Sequence, residues 1–166
     1  AASSIIKNDA GTFTIGRPIV NGGFLLSTNV TTGIIALNGI VSGTGGLTKT
    51  NNNGTLTLGN ASNSYSGGLN INGGTVSIAA AGALGSASNA LSFNNGGTLL
   101  TTATLALGSG RTITLNGNGT IQTSAGSTLT VDSAINGATS GTGALTLSVS
   151  GSGSMILSGT VGATAI

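Results

Sequence analysis

Apolar and polar positions alternate along this chain in short bursts, and the bursts recur. Leu69-Asn70-Ile71-Asn72 returns as Leu91-Ser92-Phe93-Asn94 and again as Ile113-Thr114-Leu115-Asn116, at steps of 22 residues. A second block follows in each copy: Gly74-Thr75-Val76, Gly97-Thr98-Leu99 and Gly119-Thr120-Ile121, at steps of 23 and 22. Period-two alternation marks a strand with one buried face. A constant period of this length, carrying two such strands per copy, marks a solenoid. The pattern predicts an all-β fold: a single-stranded parallel β-helix (β-solenoid) with about 22 residues per rung.

Residues one period apart then stack about 4.8 Å apart, the spacing of hydrogen-bonded strands. Alternation of side chains across a strand sends Leu69, Leu91 and Ile113 into one inward ladder. Ile71, Phe93 and Leu115 form a second, and Val76, Leu99 and Ile121 a third. Asn72, Asn94 and Asn116 follow the strand ends and predict a corner ladder of amides, with Asn suited to the left-handed backbone of a corner. The glycines before each Gly-Thr-apolar block are assigned the same conformational work at another corner.

The same reading covers the rest of the chain. Ala1 to Ala10 is the stretch expected to fray, with Ile5-Ile6 as its one candidate for an end rung. Thr12 to Ile15, Ile34 to Leu37, Leu47 to Lys49, Thr55 to Leu58, Ser127 to Val131, Ala144 to Leu147 and Ser154 to Leu157 read as further strands. Gly16-Arg17-Pro18 reads as a corner, where proline is tolerated. Asn21 to Leu26 reads as a corner and strand like the later Gly-Thr-apolar blocks. The one candidate for a helical turn is alanine-rich Ile78 to Leu84.

Composition narrows the picture. Of 166 residues, 4% are charged and 2% aromatic, with 31 glycines. At this rung size the chain makes seven or eight rungs, a single domain spanning residues 1–166 and roughly 35 Å tall. Mean hydropathy is +0.41. No run approaches the roughly 20 apolar residues of a spanning helix, and the aromatic girdles of a membrane barrel have no material, so no membrane insertion is expected. The net charge is only +2, with no basic cluster among Lys7, Arg17, Lys49 and Arg111, which predicts no nucleic-acid partner. The opening Ala1-Ala2-Ser3-Ser4 reads as a mature end after signal cleavage or as the boundary of an excised piece.

A longer repeat overlies the rung. Ala36 to Thr48 and Ala134 to Thr146 lie 98 residues apart and share nine of thirteen positions. Gly16-Arg17-x-Ile19 likewise matches Gly110-Arg111-x-Ile113. These matches suggest long units at about residues 11–107 and 108–166, the second incomplete.

Gly43 to Lys49, Asn53 to Leu58, Asn63 to Gly68, Ile71 to Val76 and Ala83 to Gly85, in that order, resemble the passenger-associated transport repeat of bacterial autotransporter passengers. The resemblance is good from Gly43 to about Leu99, and a second copy extends as far as Gly159. It implies a secreted, right-handed β-helix at the bacterial cell surface or released from it. The sequence departs from that family in carrying no carboxy-terminal translocator barrel in these 166 residues.

The inventory of reactive groups is short. There is no His or Cys, and the only acids are Asp9 and Asp132. Glycoside hydrolysis needs two carboxyl groups about one glycosidic bond apart, and these two fall on distant rungs. A Ser nucleophile would have only Lys49 or Lys7 as its base, and both lysines read as solvated. The Asp that calcium-binding nonapeptide repeats carry is missing. The expectation is a protein with no catalytic residue, no metal site and no cofactor. Tyr65 reads as packing over a corner. Arg17 and Arg111 read as solvated corner residues, with an anionic surface glycan as the alternative partner.

Three functions remain at this level. One is a non-enzymatic, extracellular structural module, a rigid scaffold or adhesin-type spacer of the surface or extracellular matrix. Another is a subunit that stacks end to end on itself into filaments, since uncapped strand edges pair with other edges. The third is an ice- or glycan-binding solenoid, because Thr-x-Thr recurs at Thr12/Thr14, Thr55/Thr57, Thr112/Thr114 and Thr128/Thr130. Gaps of 43, 57 and 16 residues do not match a rung, so this reading ranks last.

Overall fold

Seven coils, each close to 22 residues, stack in parallel in a computed structural model that describes residues 3–51, 53–137 and 143–162. Each coil has three sides. Coil 1 comprises β1 (Ser3–Asn8), β2 (Thr12–Ile15) and β3 (Ile19–Val20); coil 2 comprises β4 (Leu25–Val30), β5 (Ile34–Leu37) and β6 (Val41–Ser42). Coil 3 has β7 (Leu47–Thr50) and β8 (Thr55–Leu58), and coil 4 has β9 (Leu69–Ile71) and β10 (Thr75–Ile78). Coil 5 holds β11 (Leu91–Phe93), β12 (Gly97–Thr101) and β13 (Leu105–Ala106). Coil 6 holds β14 (Thr112–Leu115), β15 (Gly119–Thr123) and β16 (Thr128–Val131); coil 7 holds β17 (Ala134–Gly137), β18 (Leu145–Val149) and β19 (Ser154–Leu157).

The first side is one sheet in the order β1-β4-β7-β9-β11-β14-β17, and the second runs β2-β5-β8-β10-β12-β15-β18. The third side has strands only at its two ends, β3-β6 and β13-β16-β19. Between them coil 3 runs irregularly through Asn63 and Tyr65, and coil 4 contributes a 3-10 turn, Ala81–Leu84. The alanine-rich stretch thus forms the one short helical turn expected of it. Backbone bonds still cross this gap, from Ser64 N to Val41 O at 2.9 Å and from Ser86 N to Tyr65 O at 3.0 Å.

Alternation places the core. Side chains that share parity with the inward ladders are buried, and those between them are partly exposed, as in β10 and β14. The bore is narrow where the first and second sides meet. A Cβ on Gly97 would lie 2.5 Å from Ile71 Cγ2, and one on Gly119 2.7 Å from Phe93 Cβ. These two glycines, the first residues of their blocks, are therefore required for space; the glycines before the blocks, Gly73 at φ 142° and Gly96 at φ 71°, take the positive φ that the corner reading assigns. Gly74 differs: its φ is 62°, so conformation excludes other residues as well.

Two sequence expectations need correction, and the long repeat takes more than one place in the coil. Ser3–Asn8 is not frayed, because it pairs with Leu25–Val30 over six residues. Residues 1–2 lie outside the described ones. Leu25–Val30 stands on the first side, with Leu26 in register with Leu47, and not on the second side with the Gly-Thr-apolar blocks. The long repeat does not map copy onto copy. Ala36 lies in β5 on the second side, whereas Ala134 lies in β17 on the first, and residues 138–142 of the second copy lie outside the described ones. Ile19 and Ile113, matched in that repeat, also stand on different sides. The described residues of the two copies stand on different sides because alternation and small corner residues suit any side of the coil.

Candidate functional site

The ladder residues stand one above another. Leu69, Leu91 and Ile113 are register partners, as are Ile71, Phe93 and Leu115. Val76, Leu99 and Ile121 are partners on the second side. All nine are buried. Asn94 Nδ2 donates to Asn72 Oδ1 at 2.6 Å, and Asn116 Nδ2 to Asn94 Oδ1 at 3.0 Å. Each amide therefore donates to the coil before it, so the corner is bonded along the axis independently of the strands.

Three further asparagines, Asn21, Asn63 and Asn89, are buried in the third-side corners. Asn63 accepts from Val41 N and donates to Ala83 O, both at 2.8 Å. Asn89 donates to Tyr65 O at 2.8 Å and Leu84 O at 3.0 Å. They replace the ladder bonds that the strandless stretch of the third side lacks. Sequence reading missed them because they have no constant spacing.

Two cations are buried, against the expectation that both are solvated. Lys49 has no exposed surface. It occupies an inward ladder position, between Thr28 and Ile71. Its Nζ reaches the next corner and donates to Thr50 O at 2.8 Å, Asn53 O at 2.9 Å, Asn51 O at 3.0 Å and Gly73 O at 3.4 Å. Asn51 takes a φ of 75° there, which turns its carbonyl toward the ammonium. Burial pulls the Lys49 pKa down to about 8.

Arg111 is 3% exposed. Its guanidinium donates to five carbonyls: Leu107 at 3.0 Å, Leu84 at 3.3 Å, Ser86 at 2.9 Å, Ala81 at 3.1 Å and Gly85 at 3.2 Å. It thereby ties the corner after coil 5 to the 3-10 turn of coil 4. A rigid five-donor fork suits such a set of acceptors. Burial lowers its pKa, and the neighbouring Tyr65 acts in the opposite direction. With its donors engaged inside the fold, Arg111 is not placed to meet a glycan; Arg17 is exposed.

Tyr65 is buried without exposed surface, and its hydroxyl has no hydrogen-bond partner. Burial raises its pKa, and the Arg111 charge opposes that rise. The ring acts as core, which agrees with packing at a corner. Asp9 sits in coil 1, where Lys7 Nζ at 3.1 Å and Thr31 Oγ1 at 3.0 Å hydrogen-bond its carboxylate and lower its pKa. Asp132 follows β16 in coil 6 and accepts from Gly108 N at 2.7 Å. The two acids are thus separated by most of the stack.

The four Thr-x-Thr pairs fall on three sides: Thr12/Thr14 and Thr55/Thr57 on the second, Thr112/Thr114 on the first, Thr128/Thr130 on the third. A different column of threonines appears in the register. Thr55, Thr75, Thr98, Thr120 and Thr146 stack along the outer second side in five consecutive coils. Their spacing in sequence runs from 20 to 26 residues, because corner loops of unequal length separate strands that remain in register. A fixed period finds only the middle three, Thr75, Thr98 and Thr120, and not the whole column.

A cleft of about 140 Å³ opens beside coils 1 and 2, lined by Ser4, Ile19, Val20, Asn21 and Phe24 to Leu26. Among the described residues no three His, Cys, Asp or Glu side chains gather as a metal site would need. Among them, too, no helix is long and apolar enough to cross a membrane. Comparison with protein families, with curated proteins and with solved structures finds no match to this chain.

Proposed function

We propose that the chain is a non-enzymatic structural β-solenoid, a rigid scaffold or adhesin-type module at the extracellular face of a bacterial cell. The observation that carries this reading is the continuity of two seven-stranded parallel sheets through every coil. Inward ladders, axial asparagine bonds and two buried cations tie successive coils together. Load on such a stack is spread over many parallel hydrogen bonds. Its cohesion needs no disulfide, since the chain has no cysteine. The five ordered submotifs from Gly43 to Gly85 support the surface location by resemblance.

The test has two arms. The purified chain should refold from denaturant unaided, with a chelator present, and the folded stack should resist protease. Antibody against it should label intact cells of the source bacterium. Labelling confined to the cytoplasmic fraction, or refolding that requires a metal or cofactor, would overturn the proposal.

A second reading, an uncharged hydroxyl face that meets ice or a neutral glycan, is favoured by the threonine column. None of the seven strands on that side carries a charged residue. Ice-recrystallisation and glycan-array assays with Thr98→Lys decide it: activity that the variant loses supports this face, and inactive wild-type protein removes it.

A further inference from the structure

Eight Asn-Gly pairs punctuate the chain. At such a pair the glycine nitrogen can close on the asparagine side chain, because glycine has no Cβ to obstruct the ring. The fold holds most of the pairs out of reach. Gly39 N donates to Ile15 O at 3.2 Å, Gly96 N to Asn118 O at 2.8 Å, Gly117 N to Phe93 O at 3.2 Å and Gly119 N to Ala144 O at 2.9 Å. Asn21 Oδ1 accepts from Gly45 N at 3.1 Å, and Asn72 Oδ1 from Asn94 Nδ2 at 2.6 Å. Asn136 and Gly137 lie inside β17, where pairing fixes the backbone.

Asn53–Gly54 differs. Asn53 is exposed, and among the described residues neither its side chain nor Gly54 N has a hydrogen-bond partner. The pair also stands in the corner that Lys49 caps, where the ammonium donates to Asn53 O at 2.9 Å. That oxygen and Gly54 N belong to one peptide group. A cation on the oxygen therefore favours loss of the proton from the nitrogen, the step that makes the nitrogen a nucleophile. No acid competes for the ammonium: β4, β8 and β9 carry no charged residue, and Asp9 and Asp132 are bonded in other coils.

We propose that Asn53–Gly54 is a self-modification site, at which the chain converts Asn53 to aspartate and isoaspartate with Lys49 as the activating cation. Gly54 N gives its proton to hydroxide and bonds to Asn53 Cγ. The Cγ–Nδ2 bond breaks, Nδ2 takes a proton from water and leaves as ammonia, and a cyclic imide remains. Water then opens the imide. Attack at Cγ gives aspartate, and attack at the backbone carbonyl gives isoaspartate. The net change is one water in and one ammonia out, with no oxidant or reductant. Either product puts a carboxylate on the residue whose carbonyl already meets Lys49, and so supplies this buried cation with a counter-charge. The isoaspartyl form also lengthens the backbone in a tight corner, where a Cβ on Gly74 would lie 2.6 Å from Asn53 O.

The test is peptide mapping by mass spectrometry, with isoaspartate scored separately, on folded chain and on chain held in urea. Folded chain should convert Asn53 faster than unfolded chain does, and the remaining pairs more slowly. Lys49→Met, shown folded by circular dichroism, should slow conversion at Asn53 on the order of tenfold. The pH profile of the wild type gives a second readout that needs no variant. Hydroxide promotes the reaction, so an ordinary Asn-Gly pair speeds up as pH rises. At Asn53 the rise should flatten above about pH 8, where Lys49 gives up its proton. Asn53 that stays intact in the folded chain while it converts in urea overturns the site. Folded Lys49→Met that converts at the wild-type rate, or a wild-type rate that keeps rising above pH 8 as the unfolded chain's does, overturns the part assigned to Lys49.

Discussion

Replacing Lys49 by Met tests whether a buried cation holds a corner of the coil. The two side chains are similar in length, so the bore stays filled, and only the ammonium is lost. Its three N–H groups serve four carbonyl oxygens, three of them at 2.8 to 3.0 Å. Hydrogen bonds to a charged group contribute about 1.5–3 kcal/mol each, so three give a gross loss of about 5–9 kcal/mol. Against this stands the cost of burying an ammonium, several kcal/mol, which Lys49→Met relieves. Water reaches Asn53, which is exposed, and partly satisfies its carbonyl. The carbonyl of Gly73 is buried deeper and stays orphaned. The balance is a net destabilisation of about 3 kcal/mol. Urea denaturation followed by circular dichroism reads this as a lower midpoint with an unchanged slope. Lys7→Met, at an exposed lysine, is the control and should shift stability by about 0.5 kcal/mol or less. Lys49→Met protein as stable as wild type would refute the reasoning, since the amine would then contribute nothing to holding the corner carbonyls.

Stability should rise between about pH 8 and pH 10, because Lys49 titrates at about 8 in the fold and near 10.4 unfolded, so the unfolded chain binds the extra proton in that window. The gain is about 3 kcal/mol at most. Above pH 10 it should fall again, since burial raises the Tyr65 pKa and only the unfolded chain then loses that proton. Urea midpoints against pH check both limbs: Lys49→Met should lack the rise and Tyr65→Phe the fall. Tyr65→Phe itself should be neutral or stabilising by up to about 1 kcal/mol at neutral pH, because the deleted hydroxyl has no partner; a loss above about 1 kcal/mol would reveal a bonded hydroxyl. Gly119→Ala should cost about 1–3 kcal/mol, as its Cβ would meet Phe93 Cβ at 2.7 Å, and a thermal melt without a shift would contradict the tight bore. Asn94→Ala breaks both bonds of the amide ladder and should cost on the order of 1 kcal/mol, whereas Phe93→Asp buries an unpaired charge and should abolish folding; soluble, folded Phe93→Asp would contradict its inward position.

The first side was legible because its strands recur at 21 or 22 residues throughout, so a fixed period finds them. The second side was legible in its motif but not in its full column, because corner loops stretch the interval without breaking register. The Gly-Thr pairs were visible, but sequence could not say that Gly97 and Gly119 answer to Ile71 and Phe93, which come from the other side. Lys49 was misread through residue type alone. Its parity carried the missing signal: it stands two residues after inward Leu47, on the same face. Arg111 offered no such signal, since a corner residue has no parity. Its five acceptors come from two different coils, and only the fold gathers them. The long repeat does not by itself give position. Strong identity between Ala36–Thr48 and Ala134–Thr146 reflects a common vocabulary of strand and corner, not a common place in the coil.

The stacking itself is tested most directly by distances between paired spin labels along one outward column. Ser27, Asn70, Ser92, Thr114 and Asn136 stand on the first side, with Thr48 between the first two, each one coil from the next. With one label fixed at Ser27, moving the other from Ser92 to Thr114 to Asn136 should lengthen the distance by about 4.8 Å at each step, to about 24 Å. Equal increments are what a stack of parallel coils requires. Distances that fail to grow, or that grow by unequal jumps, would contradict it.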